Sequence, residues 1–301
     1  MRPIFQQIPG LAGRVPFQAL GNLPTPVQNI DGLWVKRDDQ THPNVGGGKI
    51  RKLEFYLPRF KGPTIAYGPR GSNWLLALSY FAPHSRIHTF PQYMNESALL
   101  NARRFTPTRP HSDSLGFGMG MMLELPRLLG ERWSLAPMGG SDPITCLGWV
   151  NAALELAQQI REGACPQPRA LFIPLGSCGT AAGLAVGLAL ARLPITLFAV
   201  RITSSWIACR RRLLALALQC AWLLDLKDIA LPRIEIIDGF CGEVYARPTP
   251  QAIGTRNRFR KAGVELDLTY SAKTAAAATS MNLRDSLFWL TYSPPSQKTD
   301  P

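Results

Sequence analysis

The sequence predicts an α/β protein in which helices pack around a mostly parallel sheet. Short apolar runs of β-type composition alternate with runs of helical spacing along the whole chain. Glycine-containing turns separate several of these strands from the helices that follow them. The chain has 301 residues, 46% hydrophobic and 18% charged, which is long enough for about two domains with substantial cores.

The elements follow in chain order. Strands are predicted at residues 64–67, 86–90, 133–137, 171–174, 195–202, 234–237, 264–268 and 287–292. Helices are predicted at residues 73–81, 147–160, 181–191 and 213–224. Residues 105–120 are rich in proline, serine and glycine, so we expect a loop there.

Composition argues against several classes of function. The six cysteines form no CxxC pair and none lies at zinc-finger spacing from a histidine, so no metal site is predicted. The longest apolar stretch, residues 213–224, is too short to span a bilayer, and the N-terminus lacks an apolar signal segment. We therefore expect a cytoplasmic protein without a membrane partner. The net charge of +13 permits an anionic partner, but no RNA- or DNA-binding motif accompanies the arginines, so no nucleic-acid partner is predicted.

Three glycines precede a lysine at the start of an amphipathic helix. The run Gly46-Gly47-Gly48 would let the backbone pass close to a flat ligand. The neighbouring Arg51 and Lys52 would disfavour protonation of Lys49 and so make its amine a better nucleophile. A flexible loop with a solvated lysine is the alternative.

A second motif, residues 171–183, combines a strand, a glycine turn and a helix start. Successive backbone N–H groups of such a turn point at one place, and the dipole of the following helix adds positive potential there. A phosphate fits such a site, and Ser177 and Thr180 add hydroxyl donors. The motif is neither a Walker A loop nor GxGxxG, and a plain turn between strand and helix is the alternative.

Two further positions follow predicted strands. Ser72 and Asn73 come after the strand at 64–67, either as the N-cap of the next helix or facing a ligand at the strand's carboxyl end. Tyr270 follows the predicted strand at 264–268, where its hydroxyl either faces a site or packs at its rim.

The order of these motifs resembles the pyridoxal-phosphate enzymes of the tryptophan-synthase-β fold type, also called fold type II. Within them, the chain is similar to the 1-aminocyclopropane-1-carboxylate (ACC) deaminase / D-cysteine desulfhydrase family. The family pattern KRxDxT resembles residues 36–41, GGNKxRKLE 46–54, GGSNxxGxxGYVNAALEL 139–156, GSGGTxAGL 176–184 and LDPVYxGK 266–273.

The resemblance implies a three-layer αβα fold with a large and a small domain. Residues 1–55 and 160–301 would form the large, cofactor-binding domain, and residues 56–159 a smaller α/β domain inserted in it. It also implies a homodimer.

The resemblance implies pyridoxal 5'-phosphate as the cofactor, joined to Lys49 as a Schiff base. Its remaining contacts would be Asn73 at the phenolic oxygen of the ring, Ser271 or alternatively Ser293 at the ring nitrogen, and Gly176, Ser177, Cys178, Gly179 and Thr180 at the phosphate. The substrate would meet Ser72, Asn73, Trp74, Tyr245 and Tyr270. The catalytic groups would be Lys49, Ser72 and Tyr270.

Several positions depart from the family pattern. Gly48 replaces an asparagine, Trp74 a histidine or glutamine, Cys178 a glycine, Ala262 a glutamate, and residues 291–294 the sequence His-Thr-Gly-Gly. A side chain at position 178 predicts a backbone that avoids glycine-only conformations.

The resemblance implies α,β-elimination and deamination of a small amino acid, with Lys49 removing the Cα proton. D-cysteine would give pyruvate, ammonia and sulfide. Serine at position 271, where the deaminase branch carries a glutamate, favours elimination. Two alternatives stay open: ACC-type ring opening, and a non-catalytic descendant that binds the cofactor or an amino acid.

Overall fold

Two sheets organise the molecule, which a computed structural model describes over residues 2–59, 62–130 and 133–294. The strands of the larger sheet are β1 (Val27–Ile30), β2 (Leu33–Arg37), β7 (Ala170–Leu175), β8 (Thr196–Arg201), β9 (Ile234–Ile237) and β10 (Ser286–Leu290). Their order is β1-β2-β10-β7-β8-β9, and every neighbouring pair is parallel except β1–β2. The smaller sheet is parallel throughout, in the order β5-β4-β3-β6, with strands β3 (Thr64–Pro69), β4 (Arg86–Phe90), β5 (Arg109–Pro110) and β6 (Ser134–Leu135).

Helices cover both faces of the larger sheet. One face carries α7 (Pro143–Arg161), α8 (Gly179–Leu190) and α9 (Arg210–Leu223), and the other carries α10 (Pro250–Lys261) and α11 (Ser271–Met281). Because successive side chains of a strand point to opposite faces, Leu171 and Ile173 of β7 pack in the first core while Phe172 packs in the second. This arrangement confirms the predicted three-layer αβα fold.

Six α-helices precede α7 among the residues that the structure describes. They are α1 (Pro3–Gln7), α2 (Lys49–Tyr56), α3 (Asn73–Phe81), α4 (Glu96–Arg103), α5 (Ser114–Met122) and α6 (Leu125–Leu129). Helix α2 packs along α7 and so places its first residue, Lys49, beside the larger sheet. Among the described residues, no helix combines the length and apolarity needed to cross a bilayer.

Two predictions about elements are wrong. Residues 264–268 form no strand, because the Asp267 carboxylate accepts hydrogen bonds from the backbone N–H groups of Thr269, Tyr270 and Ser271 and turns the chain into α11. Residues 105–120 are not all loop, since they include β5 and most of α5. The Asp113 side chain caps α5 by accepting from the Gly116 N–H at 2.7 Å.

The division into domains stays a prediction. The smaller sheet lies inside the range predicted for the inserted domain, but α7, which begins in that range, packs mainly on α8 and α2. Its residues belong to the core of the larger sheet. We therefore propose an inserted domain that ends before Pro143.

A buried ion network joins β2, α2 and α7. The Arg51 guanidinium, which is inaccessible to solvent, donates to both oxygens of Asp38 at 2.7 Å and to Glu155 at 2.9 and 3.0 Å. Lys36 Nζ donates to Glu155 Oε1 at 2.5 Å and to Gln159 Oε1 at 2.7 Å. The motifs at 36–41, 46–54 and 139–156 therefore meet in one structural cluster that fixes the helix bearing Lys49.

Candidate active site

A cavity of about 370 Å³ opens where the carboxyl ends of strands from both sheets meet. Its walls include residues that follow β3, β4, β7, β8 and β10: Ser72, Pro91, Gly176, Thr203 and Thr291. Parallel α/β sheets bind their ligands at this edge, so the topology itself marks the cavity as a site.

Most of the predicted site residues line this one cavity. They are Lys49, Ser72, Asn73, Trp74, Gly176, Ser177, Cys178, Thr180, Tyr245 and Tyr270. The structure does not bring Gly179 and Ser271 to the cavity wall. The functions of all these residues stay predictions.

Lys49 holds its amine inside the cavity. Its Nζ donates to the backbone carbonyl of Gly139 at 3.1 Å. Burial, with a smaller contribution from the charge of Lys52, holds the pKa of Lys49 well below its usual value. A lowered pKa favours the neutral form of the amine, which is the form that acts as a nucleophile and a base.

The predicted contribution of Arg51 to this lowered pKa is wrong. Arg51 lies two residues along α2 from Lys49, and its guanidinium is engaged by Asp38 and Glu155 instead. Burial is the dominant cause at Lys49.

Gly139 lies between Lys49 and the turn after β7, which is the predicted phosphate site. A Cβ atom added at Gly139 would collide with Ser177 Oγ and would lie 3.7 Å from Lys49 Nζ. Gly139 also has a φ of 64°, which favours glycine. The lysine and the turn are therefore close neighbours, although they are far apart in the sequence.

Cys178 occupies the N-cap of α8 in a left-handed conformation, with φ 70° and ψ −25°. The prediction that this position avoids glycine-like backbone is therefore wrong. The side chain is accommodated because it is buried at 2% exposure, with Sγ 3.5 Å from the carbonyl of Ile207. The turn keeps the shape that a glycine would give it.

Lys52 is a functional candidate that the sequence analysis missed. Its Nζ donates to Ser141 Oγ at 3.0 Å and to the carbonyl of Gly139 at 3.1 Å, and Ser141 Oγ lies 2.7 Å from Ser177 Oγ. Burial lowers the pKa of Lys52 to about 8. A Cβ atom at Gly179, the first residue of α8, would lie 3.1 Å from Lys52 Nζ. A cation, two hydroxyls and a helix N-terminus thus lie side by side behind the turn at 176–180, a combination that favours an anion at that turn. The signal was the spacing: positions i and i+3 share a helix face, so Lys52 projects on the same side as Lys49.

Ser72 and Asn73 lie where β3 turns into α3. Ser72 Oγ accepts a hydrogen bond from the Trp74 N–H at 3.2 Å, which makes Ser72 the N-cap as predicted, and Ser72 also lines the cavity. Asn73 Oδ1 accepts from Asn101 Nδ2 at 2.6 Å. The Trp74 indole is buried at the cavity wall, edge-on to the ring of Tyr56.

Two tyrosines face each other across the opposite wall. The hydroxyls of Tyr245 and Tyr270 form a hydrogen bond, and their ring centroids lie 6.3 Å apart. Burial raises the pKa of Tyr270 to about 12, and burial together with Tyr270 raises the pKa of Tyr245 well above 10. Both hydroxyls therefore stay protonated at neutral pH and can donate a proton.

Ser271 lies behind the cavity wall. Its Oγ donates to the backbone carbonyl of Tyr292 at 2.7 Å, and its backbone N–H donates to Asp267. The hydroxyl is completely buried, so the contact with a ring nitrogen stays a prediction.

The departure at Gly48 has a structural partner. A Cβ atom at Gly48 would collide with the Trp149 ring, with Cη2 only 2.6 Å away. Trp149 stands where the family pattern has a tyrosine, and the larger indole occupies the space that a side chain at position 48 would need. The two departures therefore compensate each other.

Comparisons with known proteins agree with this geometry. Residues 121–287, more than half of the chain, match the family model described as pyridoxal-phosphate dependent enzyme. The chain belongs to this family. It is 32% identical over 286 residues to nocardicin C-9' epimerase from Nocardia uniformis subsp. tsuyamanensis, covering 87% of this chain and 86% of that protein. It is 29% identical over 290 residues to D-cysteine desulfhydrase from Klebsiella pneumoniae (strain 342), covering 87% of both chains.

Solved structures of this pyridoxal-phosphate-dependent family share the fold. An ACC deaminase homologue superimposes with a TM-score of 0.79 at 22% identity, covering 98% of this chain and 96% of that one. Maize serine racemase superimposes with a TM-score of 0.61 at 11% identity, covering 99% and 95%. Fold type II and the cofactor pyridoxal 5'-phosphate, both predicted from the sequence, are confirmed.

The cavity fits this cofactor. Lys49 offers an amine with a lowered pKa for an aldehyde, and the turn at 176–180, which lines the cavity and is backed by Lys52 and Ser141, suits a phosphate. The absence of side chains at Gly139 and Gly179 lets their backbones lie directly against Ser177 and Ser141, because a Cβ atom at either residue would collide with these hydroxyls. Asn73 also lines the cavity that contains Lys49 and the predicted phosphate site.

Proposed function

We propose that the protein is a pyridoxal-phosphate-dependent lyase that removes the Cα proton of a small neutral amino acid and expels a substituent from its Cβ. D-cysteine would give pyruvate, ammonia and sulfide. The observation that carries the proposal is the placement of the Lys49 amine, whose pKa burial lowers, in one cavity with the hydroxyls of Tyr245 and Tyr270.

The bound cofactor supplies an electron sink for the pair left behind when the Cα proton is removed. Lys49, once its amine is free, accepts that proton, because burial lowers the pKa of the amine and so favours its neutral, basic form. Tyr270, paired with Tyr245, donates a proton to the departing sulfur, so that the Cβ–S electron pair leaves on sulfide. Ser72 and Asn73 donate hydrogen bonds to the substrate carboxylate.

Charge favours a neutral substrate side chain. Among the described residues that line the cavity, Lys49 is the sole lysine, and no arginine, histidine, aspartate or glutamate accompanies it. A charged substrate side chain would enter without a partner, which is costly in a buried site. The apolar walls contributed by Phe90, Met138 and Val244 suit a neutral one.

A second candidate is inversion at Cα. The relative with 32% identity is an epimerase, and inversion shares its first step with elimination, since both begin with loss of the Cα proton. The two reactions differ in what happens at Cβ, where inversion leaves every bond intact. Lys49 and the Ser72 hydroxyl both line the cavity and are the groups that we would assign to proton removal and return.

The test uses the purified protein loaded with pyridoxal phosphate and a panel of D-cysteine, L-cysteine and ACC in D₂O. Elimination predicts equal amounts of pyruvate and sulfide from D-cysteine. Inversion predicts Cα deuterium and the opposite enantiomer without pyruvate. ACC that yields 2-oxobutyrate and ammonia would favour ring opening. A spectral change without product or deuterium exchange, across the panel, would contradict catalysis.

A covalent test checks Lys49 directly. Borohydride reduction of the loaded protein, followed by peptide mapping, is expected to label Lys49. Lys273 is an internal control, because it is also buried but donates to the carbonyl of Cys241 outside the cavity. A label at Lys273 or Lys52 in place of Lys49 would overturn the assignment. We also propose a homodimer, which light scattering of the same sample tests.

A further inference from the structure

A chain of hydrogen bonds connects the cavity to residues outside it. Tyr292, which follows β10, donates its hydroxyl proton to Asn101 Oδ1. Asn101, in α4, donates through Nδ2 to Asn73 Oδ1 at 2.6 Å and to the backbone carbonyl of Gly71 at 3.1 Å. Tyr292 and Asn101 are 4% and 1% exposed, so water does not compete for these contacts.

The backbone carbonyl of Gly71 decides how both asparagine amides are oriented. A carbonyl oxygen only accepts hydrogen bonds, so the atom of Asn101 that faces it is the NH₂ group. The same NH₂ group faces Asn73, so the atom of Asn73 that it meets is the acceptor Oδ1. Asn73 therefore has its own NH₂ group left over at the cavity. In the part of the chain that the structure describes, no group accepts a hydrogen bond from Asn73 Nδ2.

At the outer end of these hydrogen bonds, the Tyr292 hydroxyl is also oriented as a donor toward Asn101. The Arg104 guanidinium lies against the Tyr292 hydroxyl and, as a pure donor, leaves the tyrosine proton for Asn101. Burial raises the pKa of Tyr292 to about 12, so that proton is present at neutral pH.

Close packing fixes the positions of the participants. Gly71 has a φ of 81°, and a Cβ atom there would collide with the backbone of Ala98 in α4, so α4 lies directly against the turn before Asn73. The Tyr292 ring packs over Gly47, where an added Cβ atom would lie 3.1 Å from Cδ2. Neighbouring hydrogen bonds in such a buried chain strengthen one another.

We infer that Tyr292 and Asn101 are positioning residues that lock the Asn73 amide with its N–H groups toward the cavity. The inference rests on the proposed contact between Asn73 and the phenolic oxygen of the cofactor. A locked donor selects an acceptor, and it stabilises that oxygen in its anionic form. Tyr292 lies in the segment 291–294, which departs from the family pattern, so this arrangement gives that departure a function.

The experiment measures the visible absorption of the loaded protein against pH, together with the dissociation constant of pyridoxal phosphate. Losing a donor to an anionic oxygen raises the pKa of that oxygen, so the midpoint of the spectral titration is expected to rise. Asn73→Ala removes the donor and should raise this midpoint by about one to two pH units. Asn101→Asp should raise the midpoint by the same amount, because its carboxylate only accepts hydrogen bonds and would turn the Asn73 amide around. Tyr292→Phe should raise it less and weaken cofactor binding roughly 2- to 12-fold.

Tyr56→Phe is the matched control. Tyr56 is a phenol buried in the same apolar cluster as Tyr292, and its hydroxyl lies 3.4 Å from Ser134 Oγ, away from Asn101. This variant should leave the midpoint unchanged. Asn101→Leu, which carries no charge, replaces Asn101→Asp if the latter does not fold, and is expected to raise the midpoint as well.

The outcomes separate the inference from the proposed contact. A midpoint that moves in Asn73→Ala but stays at the control value in the Tyr292 and Asn101 variants overturns the positioning role. A midpoint that stays fixed in Asn73→Ala overturns the contact and the inference together. Neither readout depends on turnover, so a wrong substrate assignment leaves both results interpretable.

Discussion

The contact between Gly48 and Trp149 predicts a large effect from a single methyl group. In Gly48→Ala, the new Cβ would lie 2.6 Å from Trp149 Cη2, whereas ordinary contacts begin near 3.4 Å. The backbone at Gly48 has φ −62° and ψ −5°, which alanine adopts readily. Any cost therefore comes from packing.

The indole has no room to retreat. Trp149 is 1% exposed, its ring packs edge-on against Trp289 with centroids 5.6 Å apart, and Gly183 of α8 approaches its Cβ so closely that no side chain fits there. Overpacking of this kind costs about 1–3 kcal/mol. We therefore expect the free energy of unfolding of Gly48→Ala to fall by that amount, which shifts the unfolding equilibrium roughly 5- to 150-fold.

Urea denaturation monitored by circular dichroism measures this change. Gly254→Ala is the matched control, because Gly254 lies inside α10 with nothing within 4 Å of an added Cβ. Because its added methyl group meets no neighbouring atom, Gly254→Ala should raise the free energy of unfolding by about 0.5–1 kcal/mol through helix propensity alone.

A double-mutant cycle tests the compensation. Gly48→Asn combined with Trp149→Tyr restores both residues of the family pattern, and we expect a favourable coupling of about 0.5–3 kcal/mol. Equal effects of alanine at positions 48 and 254, or a cost at position 48 that persists unchanged with tyrosine at 149, would refute the argument.

Three further predictions follow from the site and its support. Glu155→Gln would leave Arg51 partly unpaired in the interior and lower the free energy of unfolding by about 3–5 kcal/mol, measured in urea against wild type. The same ion network lowers the pKa of Glu155 from 4.5 to about 2, so its stabilisation is present above pH 4.5 and is lost as the pH falls toward 2; an acid titration of Glu155→Gln should lack this step. Lys52→Met should weaken cofactor binding roughly 10- to 150-fold by equilibrium dialysis, and an unchanged constant would exclude the phosphate contact. Tyr270→Phe should keep the visible absorption but reduce turnover about 10²- to 10⁴-fold, whereas full turnover would remove Tyr270 from the reaction.

Local patterns were sufficient for β3, β4, β6, β7, β8, β9 and β10, for the turns that follow β3 and β7, and for Lys49 at the start of a helix. Ser72 was predictable because an N-cap is recognised within three residues, and Lys49 because glycines and a helix start surround it. The turn at 176–180 was predictable for the same reason. At 264–268 the local pattern failed, since the apolar residues alternate as in a strand while the Asp267 carboxylate binds the next three backbone N–H groups.

Contacts between distant segments were not predictable from one sequence. Tyr292 and Asn101 lie 191 residues apart, and neither carries a local pattern that points to Asn73. The Gly48–Trp149 pair is similar, because each departure alone looks unfavourable and the reason for both is their contact. The conformation of Cys178 is set by the packing of α8 and the turn before it, so the residue type alone gave the wrong expectation.

The residues that hold the lysine-bearing helix in place differ from those that would contact substrate. The first group is the buried ion network of Arg51, Asp38, Glu155 and Lys36. These ion pairs hold β2, α2 and α7 together. Substrate would instead contact side chains from α3, from the loop after β4 and from the tyrosine pair. Substitutions at Tyr93 or Val244 therefore leave these buried ion pairs of the lysine-bearing helix intact. Substitutions in the part of the cavity wall that contacts substrate can therefore change which substrate binds, while the residues that support the lysine-bearing helix stay the same.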